Sequence, residues 1–312
     1  MSKHLGNGTR EYDLLGDFSK IVAQKPTIRF YKWFLEKYAK SGGNLVDFGC
    51  GSGYFLRLAH KTGRFSKLIG VDIHPKAPWL FEKVMKKAEI PYRIFSDPKK
   101  FNPDSNTVDF INADASYLPE IPSNFADLCT HIFTLLPKVP GAEIFTKEGT
   151  TYLHAFQMNA ILVGMMAEGL RISKSRFIVC TYMDIRTGDP NIYRDYMKIM
   201  LEQRFEFPQN IKYEIEIYTD DKLDDVIERS GLYKRRPGEK ANPGSVFVHI
   251  FEKELNSNLN LEGAKNLALL YKNVLTQDDV TLGYNPRNET VEFFSPRLGS
   301  GFFLPFKKEW VR

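Results

Sequence analysis

Leu45-Val-Asp-Phe-Gly-Cys-Gly-Ser-Gly-Tyr54 is the stretch on which the reading of this 312-residue chain turns. Its apolar run, Leu45 to Phe48, meets three glycines spaced two apart, Gly49, Gly51 and Gly53, and passes into helix-compatible sequence from Tyr54 to His60. That order predicts a buried strand, a tight turn and a helix start. Glycine at such a turn lets a ligand reach the main chain where a β-carbon would obstruct it. The first free N–H groups of the following helix add donors and a weakly positive field. Taken alone, the same residues also make a plain tight connection.

Two segments further along weigh against the plain connection. Leu68-Ile-Gly-Val-Asp72 is a second short apolar strand ending in an acid, 19 residues beyond Gly53, the distance expected of a carboxylate that receives a ribose diol. Val108-Asp-Phe-Ile-Asn-Ala-Asp114 again ends an apolar run with an acid and is followed by Ala115. Three strands ending in polar residues, with helical sequence between them, put those residues on one edge of a parallel sheet, where open α/β sheets bind ligands. A dinucleotide fingerprint needs glycines at positions one, three and six, and here the sixth position is Tyr54.

The combination instead resembles the class I, seven-stranded, Rossmann-like methyltransferases that depend on S-adenosylmethionine. Asp47-Phe-Gly-Cys-Gly-Ser-Gly53, Gly70-Val-Asp-Ile73, Asp114-Ala115 and Phe125-Ala-Asp-Leu-Cys-Thr-His131 carry the resemblance, in order, over roughly residues 42–253. It implies an α/β fold with a mixed seven-stranded sheet flanked by helices, and S-adenosylmethionine as cofactor. In that reading Gly49, Cys50, Gly51 and Gly53 cradle the methionine portion, whose amine meets Asp47 or a nearby carbonyl. Asp72 accepts the ribose hydroxyls, Ile73 covers the adenine, and Asp114 with the Ala115 N–H reads the adenine edge.

No such position carries over for a catalytic base. His131 is the candidate, because imidazole takes a proton near neutrality and this one follows the expected fourth strand; a structural histidine at a strand end is the other reading. Tyr152 and His154 are weaker candidates. The Thr130-His-Ile-Phe133 sequence differs from the Asn/Asp-Pro-Pro-Tyr/Phe of enzymes that methylate nucleobase or glutamine amines. No metal-ligand cluster of the catechol type follows that strand, so no metal is expected.

Around the core, residues 1–41 are expected to form an N-terminal helical cap, with a helix from Thr27 to Tyr38 stopped by Ser41-Gly42-Gly43 and with Tyr12, Asp13 and Phe18 near the cofactor. Residues 42–253 are the methyltransferase core, with helices at Trp79 to Ala88 and Tyr152 to Leu170, loop-like composition over 96–107, and later strands at 176–182, 212–219 and 245–252. Residues 184–211 are an insertion that either caps the substrate or packs on the sheet. Residues 254–312 are a C-terminal extension: an amphipathic helix from Leu261 to Leu275 and an aromatic-rich tail. Apolar content at that density folds back on the core, closes the substrate pocket or makes a homodimer contact.

Bulk properties narrow the function. Net charge of +5 over this length does not indicate a nucleic-acid partner. Neither a signal peptide nor a membrane span is read from the sequence, which gives a cytoplasmic expectation. The three cysteines, Cys50, Cys129 and Cys180, are spaced for neither a disulfide scaffold nor a zinc site. A small-molecule acceptor is the leading expectation, because the additions to the core are aromatic and loop-rich. The alternatives are an RNA or protein acceptor, supported if Arg171, Lys174, Arg176, Lys234, Arg235 and Arg236 form a basic strip, and a non-catalytic scaffold on the same fold.

Overall fold

A computed structural model describes residues 23–103, 106–133, 164–182, 210–220, 222–223, 244–262, 281–285, 290–294 and 302–305. The chain divides into two compact units, one comprising Met1–Thr134, Glu168–Met183 and Asn210–Leu259, the other Leu135–Ala167, Asp184–Gln209 and Asn260–Arg312.

The first unit is built on one sheet. Its strands are β1 (Gly43–Phe48), β2 (Phe65–Val71), β3 (Tyr92–Phe95), β4 (Val108–Ile111), β5 (Leu128–Ile132), β6 (Arg176–Tyr182), β7 (Lys212–Asp220) and β8 (Gly244–Glu252). They lie in the order β3-β4-β2-β1-β5-β6-β8-β7. All pairs are parallel except those of β8, which runs antiparallel to both β6 and β7. The sheet has eight strands where seven were expected, because Tyr92–Phe95 pairs with β4 as an extra edge strand. All four of its residues are only half-buried, so no apolar run announces it. The segment 96–107 that follows holds one short 3-10 turn, Pro98–Lys100.

Helices α1 (Lys25–Tyr38), α2 (Tyr54–Lys61) and α3 (Ala77–Lys87) share one core with the sheet. In α1, Pro26 occupies the first turn, where its missing N–H costs nothing. Its inner face, Phe30, Phe34 and Leu35, joins Leu45, Leu128, Ile178 and Val248 from alternate strand positions. The residues between those positions serve the opposite face, where Phe48 meets Phe177 with ring centroids 5.9 Å apart. Gly169, on a helix described over 164–172, lies so close to the Phe177 ring that a β-carbon would come within 2.6 Å of it.

Starting at β1, the chain runs outward through β2 to β4, then returns to lay β5 on the other side of β1. The strand order therefore reverses between β1 and β5, and open α/β sheets bind ligands outside the carboxyl ends of the strands at such a reversal.

In the second unit the tail read only as aromatic-rich sequence forms three antiparallel strands, β9 (Thr281–Asn285), β10 (Thr290–Phe294) and β11 (Phe302–Pro305). Most of the expected helix from Leu261 to Leu275 and nearly all of the insertion 184–211 lie outside the described residues.

Candidate functional site at the carboxyl edge of the sheet

The glycine turn is as its sequence predicts, a link from β1 into α2. Gly49 and Cys50 N–H groups both donate to the Val71 carbonyl, at 2.7 and 3.1 Å, which folds the turn against the end of β2. Gly49, Gly51 and Gly53 all have positive φ. The last two need glycine for different reasons. A β-carbon on Gly53 would stand 2.4 Å from the Phe81 ring, whereas among the described residues nothing lies within 4 Å of one on Gly51. The main chain at Gly51 borders open space that a ligand can enter.

Asp72 sits at the end of β2 beside that turn. Its Oδ2 accepts from the Gly51 N–H at 2.8 Å and its Oδ1 from the His74 N–H at 2.8 Å. A carboxylate has about four acceptor positions, so two remain. Burial raises its pKa above the usual carboxylate value, partly offset by the His74 and Gly51 hydrogen bonds. Ile73 next to it is 56% exposed, with its apolar face uncovered.

Asp114 follows β4, and its Oδ1 accepts from both the N–H and the hydroxyl of Ser116, at 3.0 and 2.8 Å. Ala115 is buried, and Tyr117 is exposed. Asn112, which sequence reasoning passed over, ties this loop to the previous one by donating from Nδ2 to the Asp72 carbonyl at 2.8 Å. From behind, Glu168 accepts the Leu118 N–H at 2.9 Å while Arg171 donates to the Leu118 and Ile121 carbonyls. The ends of β1, β2 and β4 are thereby brought to one edge.

Asp47, near the end of β1, is 3% exposed and has Thr130 of β5 as its register partner. The Thr130 hydroxyl donates to Asp47 Oδ1 at 2.8 Å. Burial raises the Asp47 carboxyl to about 8 against the lowering effect of that hydrogen bond, and the neighbouring Asp72 adds to the rise.

His131 comes next on β5, so strand alternation turns it to the other face from Thr130. It is 3% exposed, and neither ring nitrogen has a hydrogen-bond partner among the described residues. Burial lowers its pKa to about 4, so the ring is neutral at pH 7. Immediately beyond, Phe133 takes φ +52, a strained conformation for a bulky residue. Its ring is held by Phe30 at 5.1 Å, so packing against α1 fixes the turn that leaves β5.

Several other expectations meet the structure here. Cys50, Cys129 and Cys180 are free and buried, and burial pushes all three thiols well above their ordinary value. Of the six basic residues, three are described and each has an acidic partner: Arg171 pairs with Glu168, Lys174 with Asp127 at 2.8 Å, and Arg176 with Glu252 at 2.7 Å. Lys234, Arg235, Arg236, Tyr12, Asp13, Phe18, Tyr152 and His154 lie outside the described residues. Among those residues there is no helix long and apolar enough to cross a membrane and no cluster of metal-ligating side chains.

Comparison with known proteins gives three results. Residues 24–185, half of the chain, match the family described as methyltransferase domain. The ribosomal protein L11 methyltransferase of Thermotoga maritima is 35% identical over 65 residues, 21% of this chain and 24% of that protein. That of Burkholderia cenocepacia is 44% identical over 52 residues, 17% of each chain. The chain thus spans about a quarter or less of these curated relatives. Among solved structures, TYW2 of M. jannaschii in complex with AdoMet aligns with 76% of this chain and 80% of its own at 14% identity, with a TM-score of 0.42.

Proposed function

The chain belongs to the methyltransferase-domain family, and from that premise we propose that it transfers the methyl group of S-adenosylmethionine, the cofactor, to an oxygen or nitrogen of a small molecule. One observation carries the reading: two buried carboxyls, Asp47 and Asp72, flank a glycine turn whose backbone borders open space at Gly51. Charge on a buried carboxylate is costly without a cation or donors to meet it. A ligand that brings an ammonium group and a ribose diol supplies both.

The residues fit that ligand as follows. The turn from Gly49 to Gly53, with Cys50 beneath it, receives the amino-acid portion, and Asp47 takes its amine. Asp72 uses the acceptor positions left by Gly51 and His74 for the ribose hydroxyls. Ile73 offers an exposed apolar surface to the adenine, while Asp114 and the Ala115 N–H meet its polar edge. When bound, the cofactor supplies a methyl already activated by its sulfonium, so no strong electrophile is asked of the protein. What remains is alignment and exclusion of water.

His131 is the residue we assign to the acceptor. As a neutral ring with no partner among the described residues, it can accept a hydrogen bond from an incoming hydroxyl or amine and orient its lone pair. Burial makes the imidazolium costly, so full proton transfer to it requires a compensating charge nearby. Orientation is therefore its main contribution.

Titration with S-adenosylmethionine tests the cofactor site, with Asp72→Ala expected to weaken binding about tenfold. Unchanged affinity would remove the ribose contact. A macromolecular acceptor is the second reading, favoured by the likeness to ribosomal protein L11 methyltransferases and opposed by the internal pairing of Arg171, Lys174 and Arg176. Labelled methyl groups recovered from a cell extract in acid-soluble material support the small molecule; recovery in acid-precipitated material overturns it.

A further inference from the structure

We infer that Thr130 is a positioning residue for the amino-acid end of the cofactor: its hydroxyl occupies one oxygen of Asp47 and thereby leaves the other for an incoming ammonium group. The inference rests on the assignment of Asp47 to that amine. Asp47 and Thr130 lie side by side on β1 and β5, the two strands between which the strand order reverses. The Thr130 hydroxyl has a single proton to give. Asp47 Oδ1 at 2.8 Å is far better placed to receive it than the Val46 carbonyl at 3.5 Å. Thr130 is fully buried and β-branched, so its side chain has little freedom to turn away.

What surrounds Asp47 makes this arrangement unusual for a buried acid. Among the described residues Thr130 is its one hydrogen-bond partner. The titratable groups that act on it or feel its charge are Asp72 at the end of β2, Cys50 in the turn, Cys129 on β5 and Cys180 on β6. None is a cation. Buried acids are ordinarily paired, and this one is supported by a neutral donor instead. With Oδ1 accepting from Thr130, the carboxyl proton of the empty protein belongs on Oδ2. When an ammonium group binds there, that proton leaves to solvent and the O–H bond is replaced by an ion pair. Threonine can orient the carboxyl without cancelling the charge the ligand needs, which a lysine or arginine at the same position would do.

S-adenosylhomocysteine has the same amino-acid end and no methyl to transfer, so its binding reads the site apart from catalysis. Titration calorimetry at pH 6.5, in buffers of different ionisation enthalpy, counts the protons released. Wild type is expected to release close to one proton. Thr130→Val should weaken binding about tenfold, the scale of one lost hydrogen bond to a charged group, with Thr130→Ser within about threefold of wild type. Asp47→Asn should weaken binding at least as much as Thr130→Val and abolish proton release. Thermal melts of the unliganded variants check folding, and Thr130→Ala carries the same expectation if the valine variant melts too low. Wild-type affinity in Thr130→Val together with a loss in Asp47→Asn overturns the role of Thr130 and leaves the cofactor site standing. Wild-type affinity in Asp47→Asn overturns the Asp47 assignment itself. Binding without proton release by the wild type overturns the ionisation and the role of Thr130 with it.

Discussion

Two aspartates on the same sheet, Asp47 on β1 and Asp109 on β4, are equally hidden from water and very differently treated. Asp109 is fully buried and saturated: Lys67 approaches it at 2.6 Å, Arg93 donates to both its oxygens at 3.0 and 2.8 Å, and Thr107 adds a hydroxyl at 2.7 Å. Among the described residues Asp47 has one neutral donor. The first arrangement is complete within the protein and holds the edge strand β3 to β4. The second has no cation beside it among the described residues. Both are buried carboxyls; in the proposed site, a ligand would bring Asp47 the cation that Asp109 already has.

Breaking the complete arrangement should have the largest effect. Asp109→Asn removes the buried negative charge that Lys67 and Arg93 share, and we expect a loss of about 3–5 kcal/mol in denaturant unfolding. A loss no greater than that of Asp47→Asn would erase the contrast. The glycine turn offers the same contrast at the backbone. Gly53→Ala drives a β-carbon into Phe81 at positive φ, and a loss of about 2–4 kcal/mol is expected from strain and overpacking together. Gly51→Ala meets no atom of the described residues, so it should cost less stability and instead weaken S-adenosylmethionine binding; equal destabilisation by both, with binding by Gly51→Ala unchanged, would erase this contrast.

The pH dependence of the unliganded protein sharpens the comparison further. Folding raises the Asp47 pKa from 3.8 to about 8, so the native state binds the proton more tightly than the unfolded chain. This contribution is fully present below about pH 4 and is lost as pH rises towards 8, at up to about 1.4 kcal/mol per pH unit. Unfolding measured at pH 5 and pH 7 should therefore show a larger fall for wild type than for Asp47→Asn; parallel curves would mean that Asp47 is ionised without a ligand. The smallest effect is expected at an exposed pair. Glu82 and Lys86, 2.8 Å apart on α3 and in water, should tolerate Glu82→Gln with no measurable change in unfolding midpoint.

Of the site, the residues adjacent in sequence were the most legible. The glycine turn and the acids after β2 and β4 are marked by the end of an apolar run, a signal that needs no knowledge of strand pairing. Thr130 carried no such mark, because its partner is 83 residues away and the two meet only through the register of β1 on β5. The same holds for Lys67 and Asp109, joined by the pairing of β2 with β4. Strand β3 gives no signal in the sequence because its residues are half-buried and lack alternation, and the carboxylate partners of Arg171, Lys174 and Arg176 are set by the fold.

The sequence by itself determined the local grammar: a strand, a turn that only glycine can make at φ +70 beside Phe81, a helix start, and acids placed at the ends of apolar runs. Those are properties of neighbouring residues, set by backbone sterics and the pattern of apolar side chains. Only the tertiary structure decided which buried acid would meet cations and which would meet a hydroxyl. That depends on what side chains a strand's neighbours present at the same height, and hydrogen bonding between strands, unlike periodicity along one of them, joins residues that the chain itself keeps far apart.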